Sequence, residues 1–238
     1  KMLPFGRGHA PARPDHPGAV EPKPEEEKRE GQNLKRKTTI SAAEQNPIFR
    51  HLRRRPAIPA LKHVKEIEIA ADCGARLVFL LTGTIRDLTD VCERAQDHNI
   101  KVFCHIDLIQ GIGKDPAGVD WLATQIGASG ILTTRSNLAR AAKSAGLVAI
   151  QRLFLLDSES LKTGIDIVSS SRADAVEILP ALVLPSLAHR LPIRELSPFI
   201  AGGLVETEAE LEAVISAGAL GVSTSKKELW TFERALSD

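Results

Sequence analysis

The chain has 238 residues, of which 43% are hydrophobic and 26% are charged, an ordinary composition for a globular protein. This composition excludes collagen-like, wholly disordered and disulfide-scaffold classes, and no apolar run reaches the roughly 18 residues of a membrane span. The three cysteines, Cys73, Cys92 and Cys104, form no CxxC pair. We therefore expect a reduced, cytoplasmic protein without a secretory signal.

The charge is distributed unevenly along the chain. Residues 1–56 contain 13 Lys and Arg against 7 Asp and Glu, whereas residues 57–238 contain 18 against 23. The formal net charge of +1 thus hides a basic leader on a mildly acidic body. That body lacks the broad basic footprint of a dedicated nucleic-acid binder, so any RNA contact would need a local patch or the leader.

Residues 1–46 have the composition of a tail. They are rich in Pro, Gly, Glu, Lys and Arg and poor in aliphatic residues. Such a segment cannot bury enough apolar surface to offset the entropy of ordering, so we predict a disordered, basic and Pro-rich tail. The alternative is a basic arm for nucleic acid or another partner. The folded domain is predicted over residues 47–238.

From residue 56 onward, short apolar runs alternate with stretches of helical periodicity in steps of about 20 residues. Strands that alternate with helices indicate βαβ units and a parallel sheet. Eight such units predict a compact α/β fold, a (β/α)8 TIM barrel after the tail, with an open doubly wound sheet as the alternative. In either fold, ligands bind at the carboxyl ends of the strands. The eight predicted strands span 57–61, 77–81, 102–107, 130–134, 148–154, 175–180, 199–203 and 221–225.

The ends of the last two predicted strands are typical of a phosphate site. Gly202 and Gly203 end the seventh strand, and Thr224 and Ser225 end the eighth. Glycines let backbone N–H groups approach an anion, and hydroxyls before a helix start can complete the site. We predict that these four residues bind a phosphate group. The alternative is that they only form tight turns and a helix cap.

Strand parity turns several polar side chains into the predicted barrel. In the third strand, Val102, Cys104 and Ile106 would face the helices, which leaves His105 and Asp107 inside. The same parity turns Glu177 of the sixth strand inward, where a carboxylate must be paired or bound to a ligand. Asp107 and Glu177 are candidate ligand contacts, whereas His105 fits better as a hydrogen-bonded core residue.

Two arginines are further candidates for an anionic ligand. Arg135 follows the fourth strand, where its guanidinium could reach an anion at the rim. In the fifth strand, either Gln151 or Arg152 faces the lumen, and the pattern does not settle which. Arg152 is included as the candidate.

The sequence contains no recognisable catalytic pattern. It has no HEXXH motif, no nucleophile elbow, no Walker A loop and no zinc-ligand spacing of Cys and His. We therefore predict no catalytic residue, no metal and no cofactor. A phosphate-recognising barrel of this kind is either a sensor or an isomerase whose catalytic groups form no recognisable motif.

Six segments occur in the same order in one known family. These motifs identify the chain as a member of the bacterial glycerol uptake operon antiterminator regulatory proteins, a resemblance that covers roughly residues 47–232. It implies a barrel, glycerol 3-phosphate as effector, and leader mRNA of glycerol-utilisation operons as a partner, bound to prevent transcription termination. Asp107 and Glu177 would suit the glycerol hydroxyls. The tail departs from the family pattern, which starts close to the first strand. The segments span 105–111, 133–137, 150–158, 177–180, 200–204 and 224–230.

The RNA-binding surface is less evident from the sequence. The chain has a basic cluster just before the first strand, at the end opposite the ligand site, which consists of Arg50, Arg53, Arg54 and Arg55. Arg53, Arg54 and Arg55 are candidate RNA contacts, and the alternative is a solvated cluster. The competing functions are a phosphosugar-type barrel enzyme, such as an isomerase or phosphodiesterase, and a metabolite sensor that acts on a protein partner. Whether the chain forms a homo-oligomer is left open.

Overall fold

The computed structural model describes residues 47–192, 196 and 198–234; the predicted tail, 1–46, lies outside the described residues. Eight parallel strands close into a barrel in the order β1-β2-β4-β6-β7-β8-β9-β10. The first and last of them pair directly, with Ala57 opposite Val222, which excludes the open sheet. Their bounds are β1 Ala57–Leu61, β2 Leu77–Leu80, β4 Lys101–His105, β6 Gly130–Thr133, β7 Val148–Phe154, β8 Ala175–Leu179, β9 Phe199–Gly202 and β10 Gly221–Thr224.

Two short strands, β3 (Gly83–Thr84) and β5 (Ile109–Gln110), form a separate parallel ribbon in the loops that follow β2 and β4. The eight barrel strands overlap the eight predicted ones with shifts of one or two residues. The predicted (β/α)8 barrel is therefore confirmed. The short strands were not predicted, because two residues are too few to show a hydrophobic period.

Helices connect the strands and begin at the carboxyl end of the barrel. Thr207 accepts a hydrogen bond from the Glu210 amide, and the Glu210 carboxylate accepts one from the Thr207 amide. The described α-helices are α1 Pro47–Arg50, α2 Glu66–Asp72, α3 Ile85–Asp97, α4 Pro116–Trp121, α5 Ser136–Ser144, α6 Ser158–Ser171, α7 Leu184–Leu187 and α8 Glu208–Ser216. Short 3-10 turns lie at His51–Arg53, Ala181–Val183, Ala188–Arg190 and Lys227–Leu229, and a π-helical turn spans Leu122–Ile126.

The apolar core is divided by the barrel wall. Inside the barrel, Phe79 and Phe103 pack with ring centroids 5.9 Å apart. Outside it, Val102, Cys104 and Ile106 pack against the helices, which confirms the predicted parity of this strand. Phe49 and Leu52, three residues apart on α1 and the following turn, join the interior cluster. They close the amino-terminal end of the barrel, so the polar side chains of its interior lie toward the other end.

Candidate functional site: the carboxyl-terminal mouth of the barrel

A cavity of about 240 Å³ opens at the carboxyl ends of the strands. The ends of β9 and β10 form much of its wall, with Arg152 of β7 as a further polar contributor. This is the position at which barrels of this class bind their ligands. The lining residues are Ala60, Leu81, Arg152, Leu179, Gly203, Leu204, Val205, Glu206, Ser223, Thr224, Ser225 and Lys226.

A fully enclosed carboxylate holds the arginine of this cavity. Glu177 is 0% exposed, and its Oε2 lies 2.5 Å from Arg152 Nε. Its other oxygen, Oε1, accepts a hydrogen bond of 2.7 Å from Ser223 Oγ. Arg152 lies opposite Glu177 in the β7–β8 register, so strand pairing itself brings the two charges together. The Glu177 carboxylate therefore orients the guanidinium instead of lying open to the cavity.

The structure settles which of two neighbouring residues faces the lumen. Arg152 points inward, and its guanidinium carbon lies 5.7 Å from the centre of the Phe154 ring. Gln151 is buried on the other side of β7 and donates to the Thr133 carbonyl at 3.2 Å. Arginine is the residue that matches a phosphate or carboxylate with several donors at once.

Asp107 lies at the end of β4, in a second polar group beside the first. Its Oδ2 accepts hydrogen bonds from Thr133 Oγ1 at 2.9 Å and the Thr134 amide at 3.0 Å. Arg135 Nε lies 3.2 Å from Oδ1 but without hydrogen-bond geometry, so this buried oxygen has no hydrogen-bond partner among the described residues. Burial raises the pKa of Asp107, but hydrogen bonds from His105, Thr134 and Thr133 outweigh it and lower the pKa to about 2.

His105 connects the two polar groups. Its ring is nearly buried, with Nε2 3.5 Å from Asp107 Oδ2 and Nδ1 3.2 Å from Arg152 Nη1. Because the guanidinium can only donate, the histidine ring nitrogen that it contacts is the acceptor. Polar contacts thus run from Ser223 through Glu177, Arg152 and His105 to Asp107. The expectation of a hydrogen-bonded core histidine agrees with this position.

The two glycines at the end of β9 have different surroundings. A Cβ added to Gly202 would lie 2.5 Å from Ser223 Oγ and 2.6 Å from Glu177 Oε1. Gly203 has a φ of +84°, and a Cβ there would meet nothing closer than 3.9 Å. Gly202 is therefore required for close approach, whereas Gly203 is required for its backbone conformation.

Most predicted ligand residues converge on this mouth. Arg152, Gly203, Thr224 and Ser225 line the cavity. Gly202 and Glu177 lie directly behind its wall, and Asp107 and Arg135 are joined to it through His105. The role of these residues in ligand binding remains a prediction.

Sequence reasoning missed three polar residues of the mouth. Ser223 has the inward parity that was applied to Glu177 and could have been found in that way. Lys226 lines the cavity and lies 3.2 Å from Glu206. Lys114 donates to the carbonyls of Ile106 and Ile109 from a loop, where no strand period could reveal it.

The predicted RNA contacts lie at the opposite end of the barrel, before β1. Arg53 is exposed, whereas Arg54 and Arg55 both contact the Glu233 carboxylate. Arg55 also donates to the Cys73 carbonyl. Their position at the amino-terminal end agrees with the sequence-based placement, and their role in RNA binding remains a prediction.

The fold and the mouth define the protein as a (β/α)8 barrel with a polar, arginine-containing ligand cavity. Comparison with known proteins narrows this class. The sequence profile of the family described as "Glycerol-3-phosphate responsive antiterminator" matches residues 57–230. The chain belongs to this family, which confirms the resemblance drawn from the sequence motifs.

Individual relatives agree with the assignment. The chain is 34% identical to the glycerol uptake operon antiterminator regulatory protein from Listeria monocytogenes, with a TM-score of 0.67 over 74% of this chain and 95% of that one. It is 31% identical to a glycerol uptake operon antiterminator-related protein from Thermotoga maritima, with a TM-score of 0.66 over 75% and 99%. It is also 30% identical to the uncharacterized protein YgcP from Escherichia coli K12, over 80% of this chain and 99% of that protein.

The part of the chain that the structure describes contains no helix long and apolar enough to cross a membrane.

Proposed function

We propose that this protein is a glycerol 3-phosphate-responsive regulator that binds leader mRNA of glycerol-utilisation operons and prevents transcription termination. Membership of the antiterminator family supports the response to glycerol 3-phosphate. The observation that carries the proposal is the cavity at the carboxyl-terminal mouth, with the Arg152 guanidinium in its wall. Such a regulator acts in the cytoplasm, where the leader is transcribed.

The two halves of the effector would occupy different parts of the mouth. The phosphate would lie against Gly203, Thr224 and Ser225, within reach of the charge of Arg152. The glycerol hydroxyls would extend toward β4, where Asp107 Oδ1 is a buried acceptor without a hydrogen-bond partner among the described residues. Glu177 would contribute through Arg152, because both of its oxygens are already engaged by the protein.

The proposed role is regulatory rather than catalytic. The titratable groups of the mouth bind one another, and no residue is assigned to general acid or base work. A phosphosugar-type barrel enzyme is the alternative, because several enzyme classes share this fold and fold alone does not determine function. A sensor that acts on a protein partner would use the same cavity but would not bind RNA.

Calorimetric titration tests the effector half of the proposal. Glycerol 3-phosphate is titrated into the full chain, with glycerol and inorganic phosphate as controls. We expect saturable binding of glycerol 3-phosphate, much weaker binding of phosphate and none of glycerol. Arg152→Gln should weaken binding at least tenfold, because it removes the guanidinium from the cavity wall. Equal binding by wild type and variant would place the effector elsewhere, and turnover of the compound would favour the enzyme.

In vitro transcription tests the regulatory half. The template carries the leader and terminator of a glycerol-utilisation operon, and the readout is the fraction of full-length transcript. We expect the protein to raise read-through when glycerol 3-phosphate is present. Unchanged termination, together with confirmed effector binding, would reject the RNA role and favour the protein-partner sensor.

A further inference from the structure

The amino-terminal end of the barrel carries exposed positive charge from widely separated segments. Arg50 and Arg53 lie three residues apart on α1 and the following turn, and both are exposed, whereas the adjacent Phe49 and Leu52 are buried. The buried pair closes the barrel, so the two arginines project into solvent from its end.

Two strand starts extend this charge across the same end. Arg76 directly precedes β2 and Lys101 begins β4, and the Lys101 amide donates to the Arg76 carbonyl at 2.9 Å. Arg76 also lies close to His51 in the turn that closes the barrel. Burial is the largest cause that lowers the pKa of His51, and the charge of Arg76 is the second. Arg172 adds a further exposed cation at the end of α6. We call Arg50, Arg53, Arg76, Lys101 and Arg172 the basic end.

The acids of this region form no salt bridge with the basic end among the described residues, although Asp72 and Asp97 lie exposed at the ends of α2 and α3. Glu233 is held by Arg54 and Arg55, and Asp174 is held by Lys143 and the Ala149 amide. The net charge of residues 57–238 is negative, but the five cations of the basic end add positive charge to one surface of the barrel.

Helix capping accounts for only part of this distribution. Cations are favoured in the last turns of helices, which lie at this end of a (β/α)8 barrel, and Lys143 fits that explanation. Arg76 fits it as well, because its Nη1 donates at 3.0 Å to the carbonyl of His98, the residue that caps α3. Lys101 begins a strand and caps no helix. The exposure of the basic end and its lack of salt-bridge partners among the described residues point to an external polyanion.

The aromatic residues indicate which form of RNA this surface fits. Single-stranded RNA is held largely by bases stacked on aromatic side chains, whereas base-paired RNA is held through its phosphates and shape. The exposed aromatics of the described chain, Trp121 and Phe154, belong to α4 and to the carboxyl end of β7. Phe49, at the amino-terminal end, is buried.

We infer that the basic end binds the phosphate backbone of base-paired RNA, at the face opposite the effector cavity. This inference rests on the proposed function and locates its RNA partner. It modifies the sequence-based candidates, because Arg53 is retained while Arg54 and Arg55 are occupied by Glu233. The effector and the RNA would then bind opposite ends of one barrel.

Fluorescence anisotropy with the full chain tests the inference. The probes are a labelled 20-base-pair RNA stem-loop and a labelled single-stranded oligouridine of 20 nucleotides, each with and without glycerol 3-phosphate at 50–200 mM salt. The variant combines Arg50→Gln, Arg53→Gln and Lys101→Gln. The matched control combines Lys62→Gln, Lys65→Gln and Arg86→Gln, three exposed cations at the carboxyl end. Circular dichroism and Tm confirm that both are folded.

We expect the stem to bind more tightly than oligouridine. The basic-end variant should lose at least tenfold in affinity at 50 mM salt, with a salt slope shallower by about 2–3. The control should stay within twofold of wild type. If the basic-end variant binds the stem as tightly as wild type, or if the control loses as much affinity as that variant, the basic end is not the RNA-binding surface. Either result would leave the proposed function intact. Tighter binding of oligouridine than of the stem would contradict the inference that the RNA partner is base-paired. Binding of neither probe would overturn the RNA role itself.

Discussion

The charged groups of the cavity at the carboxyl-terminal end of the barrel are paired and enclosed, whereas the cations of the basic end at the amino-terminal end are dispersed and exposed. The Arg152 side chain is 10% exposed and touches Glu177 at 2.5 Å. Arg53 and Lys101, in contrast, are exposed and form no salt bridge with a described residue. A buried charge must have a well-placed partner, because its desolvation is costly. An exposed charge is screened by salt but can contact a large binding partner. The two ends therefore suit a small effector and a polyanion, respectively.

Removal of the enclosed carboxylate should have the largest effect. In Glu177→Ala, Arg152 keeps its charge in a nearly buried position without its partner. We expect a loss of about 3–5 kcal/mol in the free energy of unfolding, measured by urea denaturation. Lys143→Gln breaks a partly exposed pair with Asp174 at the other end and should cost less than about 1 kcal/mol. Similar losses in the two variants would contradict the contrast between the ends.

A methyl group at Gly202 should disturb the same pair indirectly. In Gly202→Ala, the new Cβ would need the space of Glu177 Oε1 and Ser223 Oγ. We expect a destabilisation of up to about 3 kcal/mol, as for overpacked cores, and at least tenfold weaker binding of glycerol 3-phosphate. Denaturation and calorimetry measure the two effects.

Gly146→Ala is the control for this substitution. Gly146 lies at the amino-terminal end with a φ of +78°, and a Cβ there would have no neighbour within 4 Å. The variant should lose some stability through backbone strain but bind the effector normally. If Gly202→Ala also bound normally, the close contact with Glu177 would be irrelevant to the cavity.

The ends should also differ in the pH range over which they affect stability. Burial, followed by the charge of Arg76, lowers the pKa of His51 from 6.5 to about 4. The unfolded chain then binds more protons between these values, so stability falls as the pH drops from 6.5 to 4. At the mouth, Asp107 has a pKa lowered from 3.8 to about 2, so its contribution is lost only as the pH falls through that lower window.

Denaturation at several pH values separates these contributions. Relative to wild type, His51→Gln should remove on the order of 2 kcal/mol of the change between pH 6.5 and 4. Asp107→Asn should leave that change intact and flatten the curve between pH 3.8 and 2. A wild-type curve unchanged by His51→Gln would show that this histidine is not buried in its neutral form.

The fold could be predicted from sequence because its signals are local. Apolar runs and helical spacing recur within each βα unit, and strand parity placed Asp107 and Glu177 inside without a structure. The pairing of Arg152, Glu177 and Ser223 could not be predicted in the same way. It depends on register between neighbouring strands, and Glu177 and Ser223 are 46 residues apart.

The basic end was hidden from sequence analysis for a related reason. Its cations lie between positions 50 and 172, in segments that also contain acids, so charge counted along the chain made the body appear mildly acidic. Barrel closure brings the strand starts together at one end and separates their charges from the capping acids at the other. Only the cluster of Arg50 and Arg53–Arg55 was visible in the sequence, and Glu233 offsets one of the two charges of Arg54 and Arg55.

Release of Arg54 and Arg55 from Glu233 should have the smallest effect on stability and should raise the affinity for RNA. Glu233→Gln removes one exposed carboxylate, and exposed ion pairs contribute little to stability, so Tm should not change measurably. Arg54 and Arg55 would then add their charges to the basic end, and affinity for the 20-base-pair RNA stem at 50 mM salt should rise about two- to fivefold.

The control, Glu159→Gln, removes an exposed carboxylate that pairs with Lys162 on α6, away from this surface. It should leave RNA affinity unchanged, because the gain depends on where the negative charge is removed and not on net charge alone. If both substitutions raised affinity equally, a diffuse attraction would explain the binding. A rise confined to Glu233→Gln would locate the RNA at the amino-terminal end of the barrel, beside the arginines that this carboxylate holds.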